Sequence, residues 1–411
     1  MKRCSRTSFA QLFTQLFAWV FAWLFAGWGF AIGPATAEPA PECVDAEPIN
    51  HTYPSGAKWS MCAALNEGFG LHLTELHYQP PGKPARRTFS ELHLAGLLEH
   101  HHNEPEERSV LSELNFGGDA FVNFDTQTCP GELETINGSL NTVCTVEYAD
   151  RILAKFGAKS VLQSHSWDVI TAASDGQDVW EVLVSFGEEG TVTPTINRSG
   201  VVHRFTDNAS FGSPGINNSA GSGRFAVNST LLATWRMVPG FASADDGLRV
   251  EQFDFPLRTD LGNRRPMSVS ELGTETLRQV DREKFRTWLV TDLDGAGYSL
   301  DVQNNGFQFR SRRFNWALFD VAFTRFNRCE QLTLDNPPGN NECGTSLEAF
   351  INGESLENTI PVIWFSQSMP IIPGAEDKPL MQTRTLSFDL VPFDWTDVSP
   401  FAPTLSGDDG S

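Results

Sequence analysis

The stretch that most constrains the chain is Ser166 to Gly200, which reads as three short strands joined by two tight turns. Trp167 to Ala173 leads into Ser174-Asp175-Gly176-Gln177, where glycine supplies the positive φ that many β-turns need. Asp178 to Phe186 follows, with Trp180, Val182, Val184 and Phe186 on one face and Glu181, Leu183 and Ser185 on the other. Gly187-Glu188-Glu189-Gly190 turns the chain again and Thr191 to Ile196 returns. The middle strand is expected inside a sheet, with a charged Asp178 at its start.

The rest of the chain agrees with a β-rich protein. Among 411 residues there are 31 Phe, only 4 Tyr, 34 Gly and 24 Pro, a mixture that favours many strands and frequent turns over helical bundles. From Lys58 onward, strand patterns recur at Lys58 to Leu65, Gly70 to Tyr78, Arg86 to Leu94, Arg224 to Val238, Glu251 to Leu257, Arg286 to Val290, Tyr298 to Val302 and Phe307 to Arg313. Ser268 to Lys284 is the best helical candidate, and Phe314 to Phe326 reads as a core strand. Asn208 to Gly223, rich in Gly, Ser and Asn, reads as a long surface loop. Residues 58–403 are expected to form one large β domain, ending in a polar tail at 404–411.

Residues 1–37 resemble an export signal. Lys2, Arg3 and Arg6 head an apolar run from Phe17 to Ile32, and Ala35-Thr36-Ala37 fits the small-x-small cleavage rule. An uncleaved membrane anchor is the alternative, because Phe9 to Ile32 nearly reaches spanning length if Gln11, Thr14 and Gln15 are tolerated. A polar lead-in, 38–57, follows. The expected location is secreted or periplasmic. The formal net charge is −21, and without residues 1–37 the chain has 27 basic against 51 acidic residues. Such a surface repels phosphate backbones, which excludes nucleic acid as a partner and favours cationic small molecules or metal ions.

Six cysteines lie beyond the leader: Cys43, Cys62, Cys129, Cys144, Cys329 and Cys343. An even number in an exported chain points to disulfides; sequential pairing is the simplest of the possible connectivities. None is spaced like a zinc site. His100-His101-His102, beside Glu104, Glu106 and Glu107, offers His100 and His102 as a metal pair. With no third ligand at useful spacing, a solvated polar loop is the simpler reading.

The last segment carries a resemblance. Ile360-Pro361-Val362-Ile363-Trp364-Phe365, then Ile371-Ile372-Pro373-Gly374-Ala375-Glu376-Asp377-Lys378-Pro379-Leu380-Met381, then Leu386 to Phe393, look like the carboxy-terminal end of the copper amine oxidase catalytic domain. Trp59, Gly70 to Tyr78, Cys129-Pro130-Gly131, Asn141 to Cys144, Glu189-Gly190-Thr191 and Ser199-Gly200 fall in the same order. The resemblance implies a large antiparallel β supersandwich, often dimeric, and supports a Cys129–Cys144 pair. It also implies copper held by three histidines, a topaquinone made from the enzyme's own tyrosine, and an aspartate base, which together oxidise primary amines.

Carried over residue by residue, those roles fall on unsuitable side chains. The quinone-forming tyrosine falls on Asp178, the three histidines on Ser229, Leu231 and Ile371, and the catalytic aspartate on Ser112. The four tyrosines, Tyr53, Tyr78, Tyr148 and Tyr298, lack the required neighbours, and no histidine follows His203. No copper or quinone is therefore expected, and the protein reads as a non-catalytic relative. Its vestigial cleft would bind a cationic amine through Asp178 and Trp180. The alternatives are a working primary amine oxidase built from other residues, and an extracellular structural or partner-binding module.

Overall fold

A computed structural model describes residues 41–395 apart from 67, 115–117, 137, 157–159, 214–224, 242–246, 303–312 and 337–342. The leader, the tail, the Phe307 to Arg313 strand apart from Arg313, and most of the Asn208 to Gly223 loop lie outside the described residues. No helix among the described residues is long and apolar enough to cross a membrane.

Alternating side chains dictate the architecture. In Asp178–Gly187 the burial pattern alternates buried and half-buried, so one row enters the core while the other is only partly covered. That strand sits between Ser160–Ser174 and Val192–Val201, inside an eleven-stranded antiparallel sheet. A nine-stranded antiparallel sheet forms the other large layer. Its order places Gly70–Gln79, Arg86–His101, Ser229–Pro239 and Pro361–Ile371 side by side. The long central strand Ser229–Pro239 is buried throughout, as expected of a strand covered on both faces. A small three-stranded sheet contains Gly212–Ser213.

One apolar core joins both large sheets. Trp59, Leu73, Phe89, Trp235 and Phe365 come from the nine-stranded sheet, and Trp180, Val182, Phe186, Trp288 and Leu390 from the eleven-stranded one. Buried polar tips from both sheets converge on the Gly187–Gly190 turn. Trp59 Nε1 donates to Gly187 O at 2.9 Å, Tyr53 to Phe186 O at 2.5 Å, Tyr78 to Glu188 O at 2.8 Å and Tyr298 to Gly190 O at 3.0 Å. Each ring buries its apolar body while its donor finds a carbonyl, so none is left unpaired in the core.

Three expectations are corrected. Ser268 to Lys284 is not helical: Ser268–Glu271 and Thr276–Arg278 are short strands, each at one end of a sheet's order. Pairing at a sheet margin overrides the helix propensity of Glu, Leu and Arg there. Phe314 to Phe326 is divided into a 3₁₀ turn, Asn315–Leu318, and the strand Val321–Arg325. Asp320, between them, accepts the Val280 backbone N–H at 2.7 Å and so ties the break to a neighbouring segment. Glu47–Thr52, inside the polar lead-in, pairs with Lys58–Asn66 as an edge strand. The cysteines pair sequentially, as Cys43–Cys62, Cys129–Cys144 and Cys329–Cys343.

Candidate functional site

Strand register brings distant residues together at one end of the two layers. Ser229 lies opposite Ile371 on one side and His101 on the other. Asp178 lies opposite Gly200. Asp178, Arg198, His101, Ser229, Ile371 and Met381 line one small pocket, whose rim includes His203. Three of the five positions carried over by counting along the sequence therefore meet in space. Leu231 is buried two residues along from Ser229, opposite Glu99, and is not part of the pocket wall. Trp180 is fully buried in the core and also off that wall. Ser112 lies elsewhere, exposed on the short helix Val110–Leu114, where its hydroxyl donates to Asp335 at 2.6 Å.

The pocket is organised by a buried cation that was not singled out in the sequence. Arg198 is 4% exposed. Its Nη2 lies 2.9 Å from Glu99 Oε1 and 3.1 Å from Asp178 Oδ1, so one guanidinium bridges two carboxylates. Ser229 Oγ donates to Glu99 Oε1 at 3.2 Å, and His101 Nε2 stands 3.4 Å from Glu99 Oε2. Burial pushes the Asp178 carboxyl above its usual range, with Arg198 opposing the shift and Glu99 adding to it. At Glu99 burial also works upward, but His101 and then Arg198 outweigh it and hold the carboxyl down at about 2.

The strand geometry that allows this depends on Gly200, whose φ is +127°. A Cβ there would lie 2.3 Å from Gln177 O and 2.8 Å from the Asp178 Cα. Gly200→Ala must therefore adopt an unfavourable backbone and push the Asp178 strand away. The expected cost is at least about 2 kcal/mol, read as a lower midpoint in urea unfolding at unchanged slope.

The side chains do not fit a copper–quinone centre. Ser229 offers a hydroxyl, and Leu231 and Ile371 offer only hydrocarbon, where three imidazoles would be needed. None of the four tyrosines lines the pocket. Tyr53, Tyr78 and Tyr298 are committed to carbonyls at the Gly187–Gly190 hairpin turn, and burial pushes each phenol upward. Tyr148 is 41% exposed on Ser139–Phe156.

The histidine pair proposed from sequence is close but otherwise engaged. The His100 and His102 rings are 5.9 Å apart, with His100 Nε2 on Glu104 O at 3.1 Å and His102 Nε2 on Thr230 Oγ1 at 2.9 Å. Among the described residues, three metal-ligating side chains converge only at His72, Glu91 and His93. His72 and His93 are direct cross-strand partners, and Glu91 is two residues from His93. The signal for this cluster was present in the sequence as His72 and the Glu91-x-His93 alternation. It becomes a site only once the hairpin register is known.

Residues 295–407 match the family model described as copper amine oxidase, enzyme domain. The structure is similar to an Aspergillus nidulans amine oxidase, with TM-score 0.69 and 17% identity over 93% of this chain and 58% of that one. It is similar to a copper-containing benzylamine oxidase from Hansenula polymorpha, with TM-score 0.68 and 15% identity over 91% of this chain and 65% of that one. A Pichia pastoris lysyl oxidase gives TM-score 0.68 and 14% identity over 91% of this chain and 57% of that one. The chain thus spans less than two thirds of the length of these solved proteins. It carries the fold of the copper amine oxidase catalytic domain, and its residues 295–407 match the enzyme domain of that family.

Proposed function

We propose that this chain is an exported, catalytically silent protein on the copper amine oxidase fold. The observation that carries this reading is Asp178, in the position that the resemblance gives to the quinone-forming tyrosine, ion-paired to Arg198 in a pocket of about 30 Å³. That volume is of the order needed for one water molecule. The chain's own guanidinium takes the place that a substrate ammonium would occupy beside Asp178. Three disulfides and the apolar leader support export.

A second reading, binding of a small ammonium group, is favoured by charge. Two carboxylates share one arginine, and Asp178 Oδ2 has no hydrogen-bond partner among the described residues. A larger amine would have to displace Arg198. One experiment addresses both readings: purified protein, supplied with copper, is incubated with primary monoamines and polyamines. Peroxide release, redox-cycling quinone stain and thermal shift are then measured. The expected result is no amine-dependent peroxide and no stain. Any thermal shift should be confined to the smallest ammonium ions and lost in Asp178→Asn. Amine-dependent peroxide from a stained protein would overturn the silent reading.

A further inference from the structure

The cluster of His72, Glu91 and His93 stands apart from the Asp178 pocket and has the composition of a metal centre. His72 Nε2 is 2.8 Å from Glu91 Oε1, and His93 Nε2 is 3.8 Å from the same oxygen. All three ligand atoms lie within 4.8 Å of one another. They sit on Gly70–Gln79 and Arg86–His101, adjacent strands inside the nine-stranded sheet, so the backbone beneath them is fixed on both sides. A metal centre built on paired strands is held more tightly than one on a loop.

The surroundings orient each donor. Arg236 Nη1 holds Glu91 Oε2 at 2.5 Å, which leaves Oε1 directed at the two imidazoles. The Phe69 ring covers both histidines, with centroids 4.2 Å from His93 and 5.3 Å from His72. His93 is fully buried, and both of its ring nitrogens face oxygen. Nδ1 lies 3.3 Å from Leu94 O and Nε2 lies 3.0 Å from Gln331 Oε1. The Gln331 amide is oriented by its other end, which donates to Arg328 O at 2.8 Å. A neutral imidazole has one N–H, so it can donate to only one of those oxygens. With Nδ1–H on the carbonyl, the Nε2 lone pair faces oxygen atoms, an arrangement that a cation resolves. A carbonyl-anchored Nδ1–H with Nε2 free is also the usual posture of a metal-bound histidine. Beside the cluster lies a cavity of about 420 Å³ walled by Asn66, Phe69, His72, Glu91, Phe326 and Leu332, among others.

We infer that His72, Glu91 and His93 form a binding site for a divalent transition metal of the zinc type, with a further coordination position open to this cavity. Two imidazole nitrogens and one carboxylate oxygen suit such an ion, and three protein ligands beside open space match sites that keep one position for an exchangeable group. The site is independent of the silent reading given above, since it shares no residue with the Asp178 pocket.

Metal-stripped full-length protein is titrated with Zn²⁺ by calorimetry, and with Co²⁺ by visible absorption. One equivalent of each is expected to bind, with Co²⁺ developing the d–d bands of a low-coordinate nitrogen-ligated ion. His72 lies at the accessible side of the cluster, so His72→Ala should fold and weaken Zn²⁺ binding at least about 30-fold, since loss of even a hydrogen-bond partner behind a ligand costs roughly 10–100-fold. His72→Gln, which keeps a hydrogen bond to Glu91 but removes the imidazole, should weaken it similarly and serves if the alanine variant does not fold. His100→Ala/His102→Ala should bind as the wild type does. Absence of saturable binding by the wild type would overturn the inference. Binding that survives both His72 variants, or that is lost in the His100/His102 variant, would overturn it too.

Discussion

Arg198→Met is expected to destabilise the protein by about 3–5 kcal/mol at pH 7.5, the range found when one partner of a buried ion pair is removed. The cost arises from what stays behind. Glu99 and Asp178 are both buried, and Arg198 is the cation that bridges them. Methionine fills most of the volume and keeps the contact towards Met381, whose sulfur now lies 3.4 Å from Nη1. The loss therefore reports charge more than packing. Its pH dependence separates it from a simple cavity effect. In the wild type Glu99 has a depressed pKa, so its contribution is complete above about pH 4.5 and is lost as pH falls towards 2. Asp178 has a raised pKa, so it favours folding below its unfolded value near 3.8 and opposes folding as pH rises through its folded value. Without Arg198, Asp178 loses the cation that opposes its upward shift, and Glu99 keeps His101 as its main counterweight to burial. The variant should gain relative to the wild type as pH falls, and the gap between the two unfolding midpoints should narrow from pH 7.5 to 4. Adding Asp178→Asn and Glu99→Gln to Arg198→Met should recover most of the loss at pH 7.5, because no buried charge then lacks a partner. A deficit that stays constant from pH 7.5 to 4 would show that Arg198 acts by shape alone.

The parts of this fold that could be read from sequence are those where one local pattern decides. Trp180, Val182, Val184 and Phe186 alternate with more polar neighbours, and all four are fully buried. Turn glycines at Gly176 and Gly190 have positive φ, as the hairpins require. The segments that were misread are short ones near sheet margins. All four residues of Ser268–Glu271 are exposed, so no apolar periodicity marks that strand, and its pairing with Arg249–Asp254 is the only thing that defines it. The candidate sites were less legible, for a different reason. Glu99, Arg198 and Ser229 lie on three different strands and meet only once Arg86–His101 is paired with Ser229–Pro239 and the two sheets are packed together. The same applies to His72 and Glu91, where an irregularity between Leu76 and His77 sets which side chains face one another. Counting along the chain could place Asp178, Ser229 and Ile371 in one region, but it could not show that an arginine from the next strand holds the aspartate.

The second large effect concerns the disulfides, where loop entropy and packing make different forecasts. Cys43–Cys62 closes 19 residues and Cys129–Cys144 closes 15. If denatured-state entropy were the whole of the effect, removing either would cost about 3 kcal/mol, the Cys43 pair slightly more. The surroundings differ, however. Cys129 and Cys144 are both buried in a separate apolar cluster with Phe124, Val146 and Ala172. Cys43 is half-buried in the segment ahead of the first edge strand, and only Cys62 reaches the core. Cys129→Ala/Cys144→Ala therefore removes apolar contacts at both ends as well as the cross-link, each lost buried group being worth about 0.8 kcal/mol. The expected total is about 4.6 kcal/mol, against about 4 kcal/mol for Cys43→Ala/Cys62→Ala, where a single buried group is lost. Urea unfolding of the two double variants at pH 7 checks the order. A larger loss in the Cys43/Cys62 variant would instead mean that loop length governs both bridges and that the buried sulfurs add little.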